Sequence, residues 1–241
     1  MSVAVVTVVG GTETLVGDGA NRPVRCLVRF PDQTMRAAIV KYLSPQGVAA
    51  EVFCALLLRG WELRVPEPAV VVGAEIAFAS LDTGYPNLKQ RIGWSDNLPD
   101  PIKTLLRQEG ARLVAGFTQT PRALSLDEAI SNRDRNLGNI LWDGSNVEWI
   151  DHERALGLEP DEDRNKLVDM VLFADPDYAK VQRAAVAVAL TLSRDVITSA
   201  ARECIDLDVA AFSTLVAERL GGLADHVLRR FPQPTDLFCQ R

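Results

Sequence analysis

The sequence predicts an α+β protein of two lobes, a small β-rich one over residues 1–84 and a larger, mainly helical one over 85–241. Three observations predict it. Short runs rich in Val and Ile, set apart by turn residues, fill the first third of the chain. Helical patterning dominates from about residue 100 onward. Within that helical stretch, residues 140–151 alone read as an isolated hairpin.

The opening run at 3–9 is apolar, alternates at Thr7 and ends in Gly10-Gly11, which suits a strand. It lacks a positive leading segment, so a signal peptide is not expected. Runs at 24–30 and 36–43 follow the turn signals Gly17-Asp18-Gly19 and Pro31-Asp32. The period then changes. At 47–59, Val48, Val52, Ala55 and Leu56 suit a buried helix closed by Gly60. Pro66-Glu67-Pro68 breaks the chain before two apolar strands at 69–72 and 75–79. The expected product is a small antiparallel sheet with one helix laid across it, ending near Asp82-Thr83-Gly84-Tyr85-Pro86. Beyond it, Asp100-Pro101 reads as a cap and first helical position, and Ser125-Leu126-Asp127-Glu128 as a capping box. The hairpin pairs Ile140-Leu141-Trp142 with Val147-Glu148-Trp149-Ile150 around Asp143-Gly144-Ser145-Asn146. Helix returns after Asp161 up to about Arg230, with Ala185, Val186, Val188, Ala189 and Leu190 as core of the larger lobe.

Composition narrows the class. With 241 residues, 47% of them hydrophobic, the chain can bury a sizeable core. Its 26 Lys+Arg against 32 Asp+Glu, net −6, argue against nucleic acid or an anionic membrane as the main partner. No apolar run approaches the ~20 residues of a membrane span. Four scattered cysteines without a CxxC pair, and only two histidines, argue against structural zinc and a disulfide framework. A reducing, cytoplasmic setting is expected.

The residues that carry chemistry lie at 132–151. Asp134 and Asn139 are five apart, with Gly138 letting the backbone turn between loop and strand. Asn139 is expected to open the first hairpin strand and Asp151 to close the second, which puts their side chains next to each other. An amide and a carboxylate facing the carboxylate of Asp134 form a hard-cation site suited to Mg2+. Protein-kinase-like phosphotransferases use this arrangement: a loop Asp handles the proton of the attacking hydroxyl, while Asn and a later Asp hold metal on ATP. Each residue alone also suits an ordinary turn or cap; the combination carries the reading. Lys41 ends an apolar strand, where it can hold nucleotide phosphates, and Glu51, ten residues on in the next helix, can pair with it. Gly17 and Gly19 can let backbone N–H groups approach phosphates, although a plain turn explains them equally well. Residues 121–175 carry 13 acidic side chains against 6 basic ones, so bound ATP demands a metal to screen them.

With these residues in place, the chain resembles the HipA-like kinases, in particular their short single-module branch. The matching elements are Asn21-Arg22-Pro23, Val40-Lys41, Glu51, Val65-Pro66-Glu67-Pro68, the loop from Asn132 to Leu141, and Ile150-Asp151-His152. The resemblance implies a bilobal kinase fold that binds Mg-ATP between its lobes and transfers the γ-phosphoryl group, commonly to Ser or Thr hydroxyls of proteins. It also leaves room for a regulatory protein partner. Carried over, Asp134 is the catalytic Asp with Arg135 bracing its loop. Asn139 and Asp151 become the metal ligands and Lys41 the phosphate anchor. Two features depart from the pattern of ordinary kinases: His152-Glu153-Arg154 follows Asp151, and no Ala-Pro-Glu triplet comes after it. Residues 17–23 also hold no Ser or Thr to autophosphorylate. Two alternatives share the constellation, a kinase of small molecules or lipid headgroups and a catalytically silent nucleotide-binding regulator.

Overall fold

The computed structural model describes residues 3–16, 23–158, 163–174, 178–204 and 206–233. The N-terminal part contains strands β1 (Ala4–Val8), β2 (Thr14–Leu15), β3 (Val24–Arg29) and β4 (Met35–Lys41), helix α1 (Pro45–Gly60), and strands β5 (Pro68–Val71) and β6 (Ala77–Leu81). The strands were expected to form a wholly antiparallel sheet. Instead, β1 pairs in parallel with β5, Val5 opposite Val70, and its far end pairs antiparallel with β3, Val8 opposite Val28. Since β5, β6, β4 and β3 are already joined in that order, β1 closes them into a ring, with β2 alongside β3. Closure leaves no open edge between β1 and β3. Alternation then decides which side chains fill the ring. Val28, Ala38, Val40, Ala69, Ala77 and Ala79 point inward and are fully buried; alanines suit so narrow an interior.

The opposite phase of β5 and β6 carries Val70 and Phe78, which join the core beneath α1. Ser44 caps α1, its hydroxyl accepting from the Gly47 N–H at 3.1 Å, and Pro45 occupies the first turn. The helix therefore starts two residues earlier than its apolar pattern suggested. It is buried on nearly every side. Phe53 stacks on Phe212 with ring centroids 6.4 Å apart, and the Trp61 indole N–H donates to the Ser193 carbonyl at 3.0 Å. Gly60 was read as a helix stop, but a Cβ there would lie 2.5 Å from Val196 Cγ1, so it permits a close helix crossing. One continuous core joins the sheet's outer face, α1 and the C-terminal helices.

The C-terminal part holds α2 (Leu88–Arg91), α3 (Asp100–Gly116) and α4 (Thr120–Ala129), then the hairpin of β7 (Ile140–Trp142) and β8 (Val147–Trp149). After it come α5 (Lys166–Ala174), α6 (Ala179–Ala189), α7 (Asp195–Glu203), α8 (Ala210–Leu220) and α9 (Leu223–Arg229). The hairpin has its expected register, Ile140 opposite Trp149, and Asp143 accepts from the Ser145 and Asn146 N–H groups to close the turn. The capping box expected at Ser125–Glu128 does not exist, because α4 begins at Thr120-Pro121 and buries those residues mid-helix. Asp100 makes no side-chain cap either; Pro99 precedes α3. Leu190, expected in the core, is 73% exposed just past the end of α6. Among the described residues, no helix is long and apolar enough to cross a membrane.

Candidate active site

The strand phase that sends Val40 into the ring turns Lys41 outward, beside Phe78 and toward α1. There its ammonium lies 2.7 Å from Glu51 Oε1, 2.5 Å from Asp151 Oδ1 and 3.3 Å from Glu153 Oε2. Burial works to lower the lysine's pKa, but the three carboxylates outweigh it and raise it above the ordinary value. Glu51 is 1% exposed. Burial would push its carboxyl up, yet Lys41 and His152 hold it below the usual range. Its second oxygen accepts from the His152 backbone N–H at 3.0 Å and faces His152 Nδ1 at 3.4 Å. Glu153 goes the other way: burial, then repulsion from Asp151 and Glu51, raises its carboxyl against the pull of Lys41.

Asp151 reaches this cluster through its backbone. It follows β8 with φ of 72°, a left-handed conformation that costs a non-glycine residue roughly 1–3 kcal/mol. Such strain persists only where the surroundings enforce it, and here Lys41 holds the carboxylate. Across the hairpin, the Ile150 N–H donates to the Asn139 carbonyl at 3.1 Å, so Asn139 and Asp151 do flank the same strand ends. Asn139 itself belongs to a single 3-10 turn, Leu137–Asn139, rather than to the first strand. Gly138 does not supply an unusual φ. It makes room: a Cβ there would lie 3.0 Å from Asn136 Oδ1, which accepts the Gly138 N–H at 2.8 Å.

The loop around Asp134 is held by side chains that grip its backbone. Asn139 and Asn136 amides donate to the Asp134 carbonyl at 3.0 and 3.1 Å, and Asn132 Oδ1 accepts from the Asp134 N–H at 3.2 Å. The Asp134 carboxylate remains 22% exposed, touched by the Lys166 ammonium and approached by Arg154 Nη1 at 3.7 Å. Arg135 points away from it and is completely buried. Its guanidinium grips Asp127 with two nitrogens at 2.7 and 3.1 Å, and donates to the Ile150 carbonyl at 2.5 Å. It also lies 5.6 Å from the Trp149 ring centroid. Arg133 pairs with the buried Glu128 at 2.7 Å, an acid also held by Arg230 at 2.9 Å and Arg219 at 3.4 Å. Those partners, with Asn165, keep the Glu128 carboxyl below its usual range although burial opposes them.

Lys41, Glu51 and Asp151 thus meet in direct contact, while Asp134 and Asn139 join through a side-chain-to-backbone bond. Gly17 and Gly19 lie outside the described residues. Sequence reasoning missed Glu153, Lys166, Asp127 and Glu128. The Asp127-Glu128 pair has a signal, since adjacent acids set among Ala123, Leu124, Leu126 and Ala129 need cations once that stretch is buried. Carboxylate oxygens of Glu51, Asp151 and Glu153 lie within 4.8 Å of one another, all hard donors, with one ammonium among three acids. That donor set fits Mg2+.

No protein-family profile matches the sequence, and no curated protein matches it either. Solved structures do match its fold. The proinflammatory kinase CtkA of Helicobacter pylori is similar with a TM-score of 0.57 at 12% identity, over 93% of this chain and 95% of that one. HipA of the Shewanella oneidensis MR-1 toxin–antitoxin system, solved with HipB and operator DNA, is similar with a TM-score of 0.52 at 12% identity. That match covers 90% of this chain and 65% of HipA. The fold is kinase-like, with a β-rich N-terminal and a helical C-terminal lobe, and its structural neighbours include HipA as the sequence resemblance implied.

Proposed function

We propose that this protein is an ATP- and Mg2+-dependent phosphotransferase that acts on Ser or Thr hydroxyls of proteins. The observation that carries the reading is the contact of Lys41 at the end of β4 with both Glu51 on the following helix and Asp151, 110 residues on in the chain. A buried lysine fixed by a helix carboxylate suits binding of phosphate oxygens, and the kinase-like fold supports that use. In this reading Lys41 keeps Glu51 and exchanges its other carboxylates for phosphate oxygens. Asp151 and Asn139 hold the metal, with Glu153 close enough to contribute. When bound, Mg2+ would neutralise phosphate charge and make the γ-phosphorus a better electrophile. Asp134 receives the hydroxyl proton of the acceptor at its carboxylate, which is 22% exposed and paired with Lys166. Arg135 braces the loop from within and touches no reacting atom.

The test is incubation of the protein with γ-labelled ATP, Mg2+ and a lysate of its own cells, followed by identification of what is labelled. Label on protein Ser or Thr, lost in Asp134→Ala and Asp151→Ala variants that still melt cooperatively, is the expected result. Label confined to metabolites overturns the protein acceptor, and undiminished turnover in Asp151→Ala overturns the metal assignment.

A further inference from the structure

In the proposed reading Lys41 and the metal serve the nucleotide phosphates. Beside Asp134 the loop's own cations are engaged elsewhere, and Arg154 stands 3.7 Å off, farther than Lys166. Arg135 is buried against Asp127, and Arg133 is drawn into the pairing with Glu128. Lys166 comes from a different element altogether and places its ammonium on the Asp134 carboxylate, with its side chain 49% exposed. Nothing about α5 calls for a lysine there. Lys166 is the helix's first residue, where the positive end of the helix dipole disfavours a cation.

The position is nevertheless built. Asn165 caps α5, its Oδ1 accepting from the Leu167 and Val168 N–H groups at 3.0 and 3.2 Å. The same amide donates to Glu128 at 2.8 Å, and Glu128 is held by Arg133, the residue preceding Asp134. Asn165 and Glu128 are 3% and 0% exposed. A buried chain of contacts therefore sets the start of α5 against the loop that carries Asp134, and Lys166 closes the circuit on its solvent side.

We infer that Lys166 is a catalytic residue that holds the transferred phosphoryl group, an inference that rests on the phosphotransferase reading. The acceptor oxygen must come within about 3 Å of the Asp134 carboxylate, and the phosphorus lies about 3–3.5 Å beyond it before attack. An ammonium already on that carboxylate can reach the phosphoryl oxygens by rotating about its own side chain. In the step, the acceptor oxygen bonds to the γ-phosphorus as the bond to the β–γ bridging oxygen breaks. That bond's electron pair leaves with ADP, and the hydroxyl proton passes to Asp134. Lys166 keeps its proton throughout and balances the charge spread over the phosphoryl oxygens.

The experiment is calorimetric titration of wild type, Lys166→Met and Lys166→Arg with Mg2+ and either ADP or the non-hydrolysable AMP-PNP. Lys166→Met should weaken AMP-PNP binding about tenfold while leaving ADP binding unchanged, and Lys166→Arg should restore most of the difference. At saturating ATP, kcat should fall about a hundredfold in the Met variant. Equal effects on both nucleotides, no effect, or faster turnover would overturn the role and leave Lys166 a surface ion pair. Failure of the wild type to bind either nucleotide would overturn the phosphotransferase reading, and this inference with it.

Discussion

Replacing Lys41 with Met removes the ammonium from a cluster of three carboxylates and keeps the side chain's length and apolar stem. Among the described residues, Glu51, 1% exposed, then keeps His152 as its partner. An uncompensated buried charge costs about 3–5 kcal/mol. Repulsion adds to this, since the carboxylate oxygens lie within 4.8 Å and an ionised pair at that range repels by about 3–4 kcal/mol at an effective dielectric of ~20. Protonation limits the damage. At pH 7 a carboxylate of ordinary pKa 4.5 takes up a proton at a cost of about 3.4 kcal/mol, so the destabilisation settles near about 3 kcal/mol. At pH 5 the same protonation costs about 0.7 kcal/mol, and the penalty shrinks accordingly. The sign follows from proton binding: the folded variant holds a proton more tightly than the unfolded chain, so its deficit grows as pH rises above the carboxylate range. In a chain of this size each kcal/mol moves the melting temperature by about 2–4 °C, which predicts a drop of about 6–12 °C at pH 7. Thermal melts of wild type and variant at pH 5 and pH 7 measure it, and added Mg2+ should raise the variant's melting temperature more than that of wild type. A variant melting within about 2 °C of wild type at pH 7, or a gap that does not narrow at pH 5, would refute the electrostatic account.

Arg135→Met strands the buried carboxylate of Asp127 and should cost about 3–5 kcal/mol in denaturant unfolding; Asp127→Leu combined with it should recover part of that loss. If the double variant is no better than the single, the pairing is not what stabilises the loop. Glu153→Gln should raise the melting temperature slightly at pH 7 and leave it unchanged at pH 4. Its carboxyl pKa is raised above 4.5 in the fold, so ionisation weakens the native state as pH climbs through that window. A lower melting temperature at pH 7 would show that its attraction to Lys41 outweighs burial and repulsion.

Much of the chain was legible because its signals are local. The Val- and Ile-rich runs at 24–30 and 36–43 marked the strands Val24–Arg29 and Met35–Lys41, and with them the place of Lys41 at a strand end. The hairpin announced itself through Asp143 and Gly144, and with it the neighbouring positions of Asn139 and Asp151. Where the reading failed, a local pattern had a distant cause. Ser125-Leu126-Asp127-Glu128 matches a capping box, but its acids serve Arg135, Arg133, Arg219 and Arg230 in the interior. Gly60 matches a helix stop, but its lack of a side chain serves Val196 on α7.

By itself, then, the sequence determined the β-rich first part, the helical second part with its one hairpin, and the residue types of the loop from Asn132 to Leu141, since turn chemistry and side-chain periodicity act over a few residues. Only the tertiary structure decided that β1 closes the sheet by pairing with both β5 and β3. It also decided that Lys41 collects acids from as far as Glu153, and that Lys166 reaches Asp134. These are contacts between residues tens to more than a hundred positions apart. Such pairings leave no periodic trace in the chain and arise only when packing brings distant segments together, strand edge to strand edge or charge to opposite charge.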